Sequence, residues 1–277
     1  MADSSGTLYI VSTPIGNLGD LTFRAVEVLA SVQVIVAEDT RHSRHLLDRY
    51  EVKTPMAAYH EHNEARATPA LVARLLAGES VALISDAGTP LLSDPGARLA
   101  RAAIDAGVPV VPVPGASALL AALVASGLSA DRFTFFGFLA RKGREREAAV
   151  RELVALSHTA VLYEAPPRVA ATLADIARAG AGERPAAVAR ELTKQFEEVR
   201  RGTVAELAAY YEAAPPRGEV VLVLSGAPPA AEADEDALRA RVVALRADGA
   251  DARAIVAELT GALGAPRNLA YRLAHEL

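Results

Sequence analysis

Two stretches of the chain hold the side chains best suited to chemistry. In the first, Glu38-Asp39-Thr40-Arg41-His42 sets adjacent carboxylates beside a guanidinium and an imidazole. Such carboxylates can act as acid, as base, or as groups that orient a ligand. At a helix start they would instead complement the macrodipole, and the two roles are compatible. His42 and His45 stand i, i+3, but no carboxylate is set as a third ligand, so a metal site is not expected. The second stretch, residues 85–96, reads Ser-Asp-Ala-Gly-Thr-Pro-Leu-Leu-Ser-Asp-Pro-Gly. It is long for a connection in an α/β unit, where about 2–6 residues is usual and longer loops tend to be functional. Gly88 lets backbone approach a ligand closely, and Pro90 stiffens the turn. The stretch reads either as the wall of a small-molecule site or as a rigid structural turn. A third polar run, His60-Glu61-His62-Asn63-Glu64, is dense enough to suggest a metal. Alternate residues of an extended segment point to opposite faces, so a substrate-facing loop is the better reading.

These residues need elements to hold them. Residues 81–84 are an apolar run in front of the long loop and read as a buried strand. Behind the loop, Asp94 is placed to cap a helix with Pro95 as its first residue, 97–106 as its body and Gly107 at its end. Residues 8–11 form a strand leading into Ser12-Thr13-Pro14-Ile15-Gly16-Asn17, and Asp20 or Thr22 can cap the next helix. Strands are expected at 32–37, 56–59 and 108–113, and a helix at 69–77. Pro114-Gly115-Ala116-Ser117-Ala118 is a further small-residue turn after a strand, opening the apolar segment 116–125. Such turns in a βα-alternating half would line one edge of a parallel sheet, and ligands of open α/β sheets sit beyond the strands' carboxyl ends. The turns do not match GxGxxG, so a nicotinamide cofactor is not indicated.

The second half alternates again, with strands at 132–139, 159–163, 186–189, 196–201 and 218–224, which suggests a mixed sheet. Pro228, Pro229 and the acidic stretch 232–236 read as a linker. Three short helices follow, at 238–245, 252–263 and 266–277, in a unit like a helix-turn-helix; the alternatives are a helical cap or a dimer contact. The organisation expected is therefore 1–128, 129–227 and 228–277.

With 277 residues, half of them apolar, the chain can bury more than one core. It has no cysteine, which excludes disulfides and thiolate metal sites and fits a reducing cytoplasm. No signal peptide is read at the start, residues 1–6 read as disordered, and 116–125 is too short to span a bilayer. A net charge of −5 argues against nonspecific coating of nucleic acid. Local basic groups remain at Arg41, Arg44 and Arg49, at Arg141, Lys142, Arg144 and Arg146, and at Arg200 and Arg201. For any single cluster a solvated face is the better reading.

Several motifs occur together and in order: residues 9–18, 37–41, 85–96, 114–118, Tyr163-Glu164-Ala165-Pro166-Pro167-Arg168 and Arg190-Glu191-Leu192-Thr193-Lys194. Together they resemble the ribosomal-RNA-modifying branch of the tetrapyrrole-methylase superfamily, over nearly the whole chain. The resemblance implies two α/β domains of the class III methyltransferase type, a cofactor cleft between them and a small carboxy-terminal helical module. It implies S-adenosylmethionine as cofactor, a homodimer, and as substrate the ribose 2′-hydroxyl of a decoding-centre cytidine in 16S ribosomal RNA of the small subunit. By position, it implies cofactor contacts at Pro14, Ala87, Gly88, Thr89, Leu92, Ser117 and Ala118, and at Glu164 and Leu192 from the second domain. Thr89 stands where tetrapyrrole enzymes carry an acid, and Asp86 is the nearby carboxylate that could substitute. A ribose hydroxyl is a poor nucleophile and benefits from a base, for which Asp39 or Glu38 is the expected group. Arg41, His42, Arg168 and Lys194 could hold RNA, although the cations could equally make structural ion pairs. A small-molecule methylase of the same superfamily and a non-catalytic RNA-binding module are the competing readings.

Overall fold

Short runs of Val, Ile, Leu and Ala, buried on both faces, set the framework. A computed structural model describes residues 5–228, 234–261 and 263–276. In the first half the elements are β1 (Leu8–Val11), α1 (Phe23–Ser31), β2 (Val34–Ala37), α2 (Thr40–Arg49), β3 (Met56–Ala58), α3 (Glu64–Leu76), β4 (Val81–Ile84), α4 (Ala97–Asp105), β5 (Val110–Val113) and α5 (Ala118–Ser126). The strands form one parallel sheet in the order β3-β2-β4-β1-β5. Every residue of β2 and β4 is buried, as a sheet with helices on both faces requires. Because β4, β1 and β5 are neighbours, the loops that follow them converge at one end of the sheet. That adjacency cannot be read from the order of the strands in the chain.

The second half contains β6 (Phe133–Phe138), α6 (Gly143–Ala155), β7 (Thr159–Glu164), α7 (Val169–Ile176), β8 (Pro185–Arg190), β9 (Glu198–Thr203), α8 (Val204–Ala213) and β10 (Val220–Leu224). Its sheet runs β6-β7-β10-β8-β9 and is mixed, with only β6 and β7 parallel. α5 joins the halves. Leu119, Ala122 and Leu123 pack on Val161, Ala187, Val221 and Val223 of the second sheet, together with Ile15 and Leu192. Burying a leucine such as Leu123 contributes about 1.5–3 kcal/mol, so this seam is a substantial tie between the sheets. The helix is not buried all round, however. Leu120 and Val124 face outward, which its uniformly apolar sequence hides.

Residues 1–226 form one compact unit and residues 227–277 another. The second unit contains α9 (Glu235–Ala247), α10 (Ala252–Gly261) and α11 (Arg267–Glu276) around a core of Leu238, Val242, Ile255, Leu259, Ala270 and Leu273. The linker and disordered-start expectations fall largely on residues 229–233 and 1–4, outside the described residues. Gly6, at the edge of that start, is pinned by its amide to the Leu75 carbonyl at 2.7 Å.

Two local expectations change. α3 begins at Glu64 rather than at residue 69, because Asn63 ties the turn: its Oδ1 accepts from the His60 amide and its Nδ2 donates to the Ala58 carbonyl. Pro69 then sits inside the helix at the cost of one backbone hydrogen bond. Asp94 does not cap α4. The cap position belongs to Gly96, at φ 128°, which contributes no side chain, and Asp94 is left for another use.

Candidate active site

A cleft of about 470 Å³ opens between the two sheets. From the first half it is bordered by Ile15, Glu38, residues 86–89, Leu92, Ser93, Asp94, Ser117 and Ala118. From the second it is bordered by Phe138, Tyr163, Glu164, Leu192 and the start of β10. The structure thus brings together Ala87, Gly88, Thr89, Leu92, Ser117, Ala118, Glu164, Leu192 and Glu38 from the sequence expectations. Pro14 borders a smaller recess of about 170 Å³ instead, with His42, Ser43 and His45; Asp86 borders both spaces.

The first-half wall is cross-tied. Thr13 and Gly88 exchange backbone hydrogen bonds, Thr13 N–H to Gly88 O at 2.8 Å and the reverse at 3.1 Å. The Thr89 hydroxyl lies 3.0 Å from that of Ser12 and donates to the Ala116 carbonyl at 3.3 Å. Thr89, standing where an acid was of interest, therefore ties the loops after β1, β4 and β5 into one body. Gly88 has φ +78°, and a Cβ there would lie 3.3 Å from Ile15 Cγ2. A side chain would be strained by backbone conformation and crowded as well. α5 starts at the cleft from Ser117, whose side chain makes no cap bond, so its first-turn amides are not satisfied from that side chain.

Charge is arranged unevenly. Asp39 is a helix cap, with its Oδ1 accepting from the amides of Arg41 at 2.8 Å and His42 at 3.4 Å. Its Oδ2 pairs with the Arg41 guanidinium at 3.2 Å, and these contacts, the Arg41 side chain first, hold its carboxyl down at about 2. Glu38 does border the cleft; burial raises its pKa, with Asp86 adding to the shift. Asp86 accepts the Asp39 amide at 3.1 Å. Asp94 is the side chain that sequence reasoning missed. Burial, then the charges of Glu38 and Asp86, push its carboxyl up to about 6. The Asp-Pro step before a helix reads as a cap, and nothing local in the sequence signals otherwise.

On the second-half wall the acids are satisfied. Glu164 is fully buried at its side chain and takes Thr172 Oγ1 at 2.6 Å, the Ala165 amide at 2.8 Å and Arg168 Nε at 3.1 Å. Arg168 also donates to the Leu139 carbonyl at 2.7 Å. Lys194 bridges Glu191 and Glu219, each at 2.9 Å. Arg168 and Lys194 are thus held in ion pairs, whereas Arg41 is 91% exposed. Arg146, grouped by sequence in a basic cluster, is buried against Asp175 and Thr172. Arg201 donates to the Ala125 and Ser126 carbonyls at the end of α5. The polar run at 60–64 is likewise absorbed: it opens α3, and Glu64 pairs with Arg98. Among the described residues no group of three acidic or histidine side chains is set to hold a metal.

The family model for Tetrapyrrole (Corrin/Porphyrin) Methylases matches residues 7–208. A relative from Synechocystis sp., named Ribosomal RNA small subunit methyltransferase I, is 46% identical over 98% of this chain and 98% of its own length. One of the same name from Mesorhizobium japonicum is 49% identical over 98% of this chain and 92% of its own. Among solved structures, a uroporphyrin-III C-methyltransferase from Thermus thermophilus complexed with S-adenyl homocysteine superposes with a TM-score of 0.55. It is 19% identical, covering 79% of this chain and 97% of that one, and so bears on the fold.

Proposed function

The chain belongs to the tetrapyrrole methylase family, and from that premise we propose that it transfers a methyl group from S-adenosylmethionine to ribosomal RNA. The acceptor in this reading is the ribose 2′-hydroxyl of a cytidine in the decoding centre of 16S ribosomal RNA, within the small subunit. The observation that carries it is the cross-tied wall of small residues bordering a cleft of about 470 Å³, in a chain whose relatives bear the small-subunit methyltransferase name. That volume suits a ligand of nucleoside size, for which pockets of about 300–1,000 Å³ are usual.

The residues fit the cofactor. Ala87 and Gly88 leave backbone bare at the wall, as a glycine with φ +78° allows. Ser117 and Ala118 present the start of α5, and a helix amino end favours a carboxylate. Leu92 and Leu192 supply apolar surface from opposite sides, and Glu164, fixed by its own partners, holds the second wall in place. Thr89 and, through its neighbours, Pro14 keep the loops in register rather than gripping by charge. Bound there, S-adenosylmethionine supplies an electrophilic sulfonium methyl group. Transfer to an in-line oxygen depends mainly on positioning, which two braced walls provide. Glu38, bordering the cleft, orients the incoming ribose. Arg41 and His42, at the head of α2, meet the RNA backbone, where contacts position rather than specify.

The same reading includes a homodimer and a cytoplasmic location. Among the described residues no helix is long and apolar enough to cross a membrane. The test is incubation with labelled S-adenosylmethionine and small ribosomal subunits lacking the modification, followed by nuclease digestion. Label in 2′-O-methylcytidine is the expected result. Cofactor binding without transfer to subunits or to naked RNA would overturn the reading.

A further inference from the structure

The recess of about 170 Å³ beside the cleft is not accounted for by the cofactor. It lies between α2 and the loop after β1, and Asp86 borders both spaces. Pro14, Leu18 and Leu46 give it apolar surface, and His42 and His45, about one turn apart on α2, put two imidazoles at its border. Ser43 also borders it. This serine is only 3% exposed, and among the described residues its hydroxyl has no hydrogen-bond partner. Buried hydroxyls are ordinarily paired, so this one calls for a partner that the chain does not itself supply. The neighbouring hydroxyls have spent their protons: Thr13 donates to the Ser85 carbonyl at 3.1 Å, and Ser85 to the Gly88 carbonyl at 3.1 Å. Asp86 accepts the Asp39 amide at 3.1 Å through Oδ1, which leaves Oδ2 without a hydrogen-bond donor among the described residues.

We propose that this recess seats the base of the target nucleotide and reads it as cytosine; this rests on the methyltransferase reading above. The space is smaller than the roughly 300–1,000 Å³ usual for a whole small-molecule ligand. Its apolar side chains and imidazoles are the surroundings in which a splayed-out RNA base stacks. A base is joined to its ribose by one bond, so a base in the recess leaves the ribose at the mouth, beside Asp86, with its 2′-hydroxyl toward the cleft. Cytosine carries an amino donor at N4 next to an acceptor at N3. A carboxylate oxygen accepts from the amino group and a hydroxyl donates to N3, and these are the two groups that Asp86 and Ser43 leave free. Uracil reverses the pattern, with an acceptor at O4 and a donor at N3. The Ser43 hydroxyl can serve either ring, because it both donates and accepts. The Asp86 carboxylate only accepts, so it carries the discrimination against uracil.

The test measures single-turnover methylation of small subunits carrying cytidine or uridine at the target position, by the intact wild-type protein and by Asp86→Asn and Ser43→Ala. Wild type should prefer cytidine by at least about tenfold. Asp86→Asn keeps an oxygen for the Asp39 amide and turns its Nδ2 to the recess, where a donor suits O4 of uracil. Its preference should therefore fall to within about threefold of parity or pass to uridine. Ser43→Ala adds no volume and should slow the cytidine reaction about threefold or more, with S-adenosylmethionine affinity by calorimetry within about twofold of wild type. A purely structural role for Asp86 would slow both substrates alike and leave their ratio unmoved. That outcome overturns the base assignment, as does Ser43→Ala at the wild-type rate or a wild type that methylates cytidine and uridine equally; the recess is then a place for water. Wild-type protein that binds S-adenosylmethionine but methylates neither subunit overturns the methyltransferase reading itself.

Discussion

The two walls of the cleft treat negative charge in opposite ways. On the second-half wall, Glu164 is met by Arg168, Thr172 and a backbone amide, and Glu219 by Lys194. On the first-half wall, Glu38, Asp86 and Asp94 have no ion pair among the described residues. Both walls are acidic in sequence, but one spends its acids on holding shape and the other keeps them unpaired. Unpaired, partly desolvated acids are unfavourable for folding, and clefts that carry function are where such groups are typically retained. The second half is then a rigid counter-wall.

The strongest way to break this contrast is Arg168→Met. It leaves the buried Glu164 carboxylate without its cation, and the expected loss is about 3 kcal/mol or more of stability in urea unfolding at neutral pH. Unchanged stability with weakened subunit binding would instead return Arg168 to the substrate. Next in size is Gly88→Val on the opposite wall. Calorimetry should show S-adenosylmethionine affinity reduced at least about tenfold, with circular dichroism unchanged, because the side chain meets Ile15 and the φ of +78° disfavours it. Equal affinity would remove that loop from the cofactor wall.

The pH dependence of stability sharpens the contrast further. Asp94 has a folded pKa of about 6 against 3.8 for an ordinary aspartate, so between these values the folded chain binds more protons than the unfolded one. Stability from this group therefore falls as pH rises from about 4 to 6, by at most about 1 kcal/mol after solvent screening. Subtracting the Asp94→Asn profile from wild type, by denaturation at a series of pH values, should isolate that fall. Asp39, held at about 2, has the opposite sign: its contribution is present above the unfolded pKa and is lost as pH drops toward 2. A difference profile that rises with pH would show that Asp94 has a donor in solution. The smallest effect is expected from Arg41→Ala. Its pair with Asp39 is exposed, so the unfolding midpoint should hardly move. Subunit binding should lose about one unit of its logarithmic salt slope, and an unchanged slope would take Arg41 off the RNA.

Much of this architecture was open to a reading of the chain. Apolar runs ending in glycine, proline and small polar residues marked β1, β4 and β5 and the loops behind them, because turn chemistry is local. A cap for α1 at Asp20 or Thr22 and carboxylates at the start of α2 followed from the same local rules, and the structure makes Thr22 and Asp39 the caps. What escaped depends on contacts between distant residues. Arg146 looked like part of a basic surface, but Asp175 and Thr172, from α7 and beyond its own helix, draw it inside. Asp94 looked like a cap because Asp-Pro commonly is one, and the positive φ of Leu91 and Ser93 that redirects it has no sequence mark. α5 is apolar all round in composition, and only the seam with the second sheet decides which face is covered.

The hydrogen bonds from Ser12 through Thr89 to Ala116, with the Thr13–Gly88 bridge, make the first-half loops a single braced panel. A panel of that kind has no hinge of its own. Facing it, the bare backbone of Gly137 passes Ser93 so closely that an added Cβ would sit 3.1 Å from its hydroxyl. A ligand seated there meets one preassembled surface, and the cost of ordering three separate loops does not fall on binding.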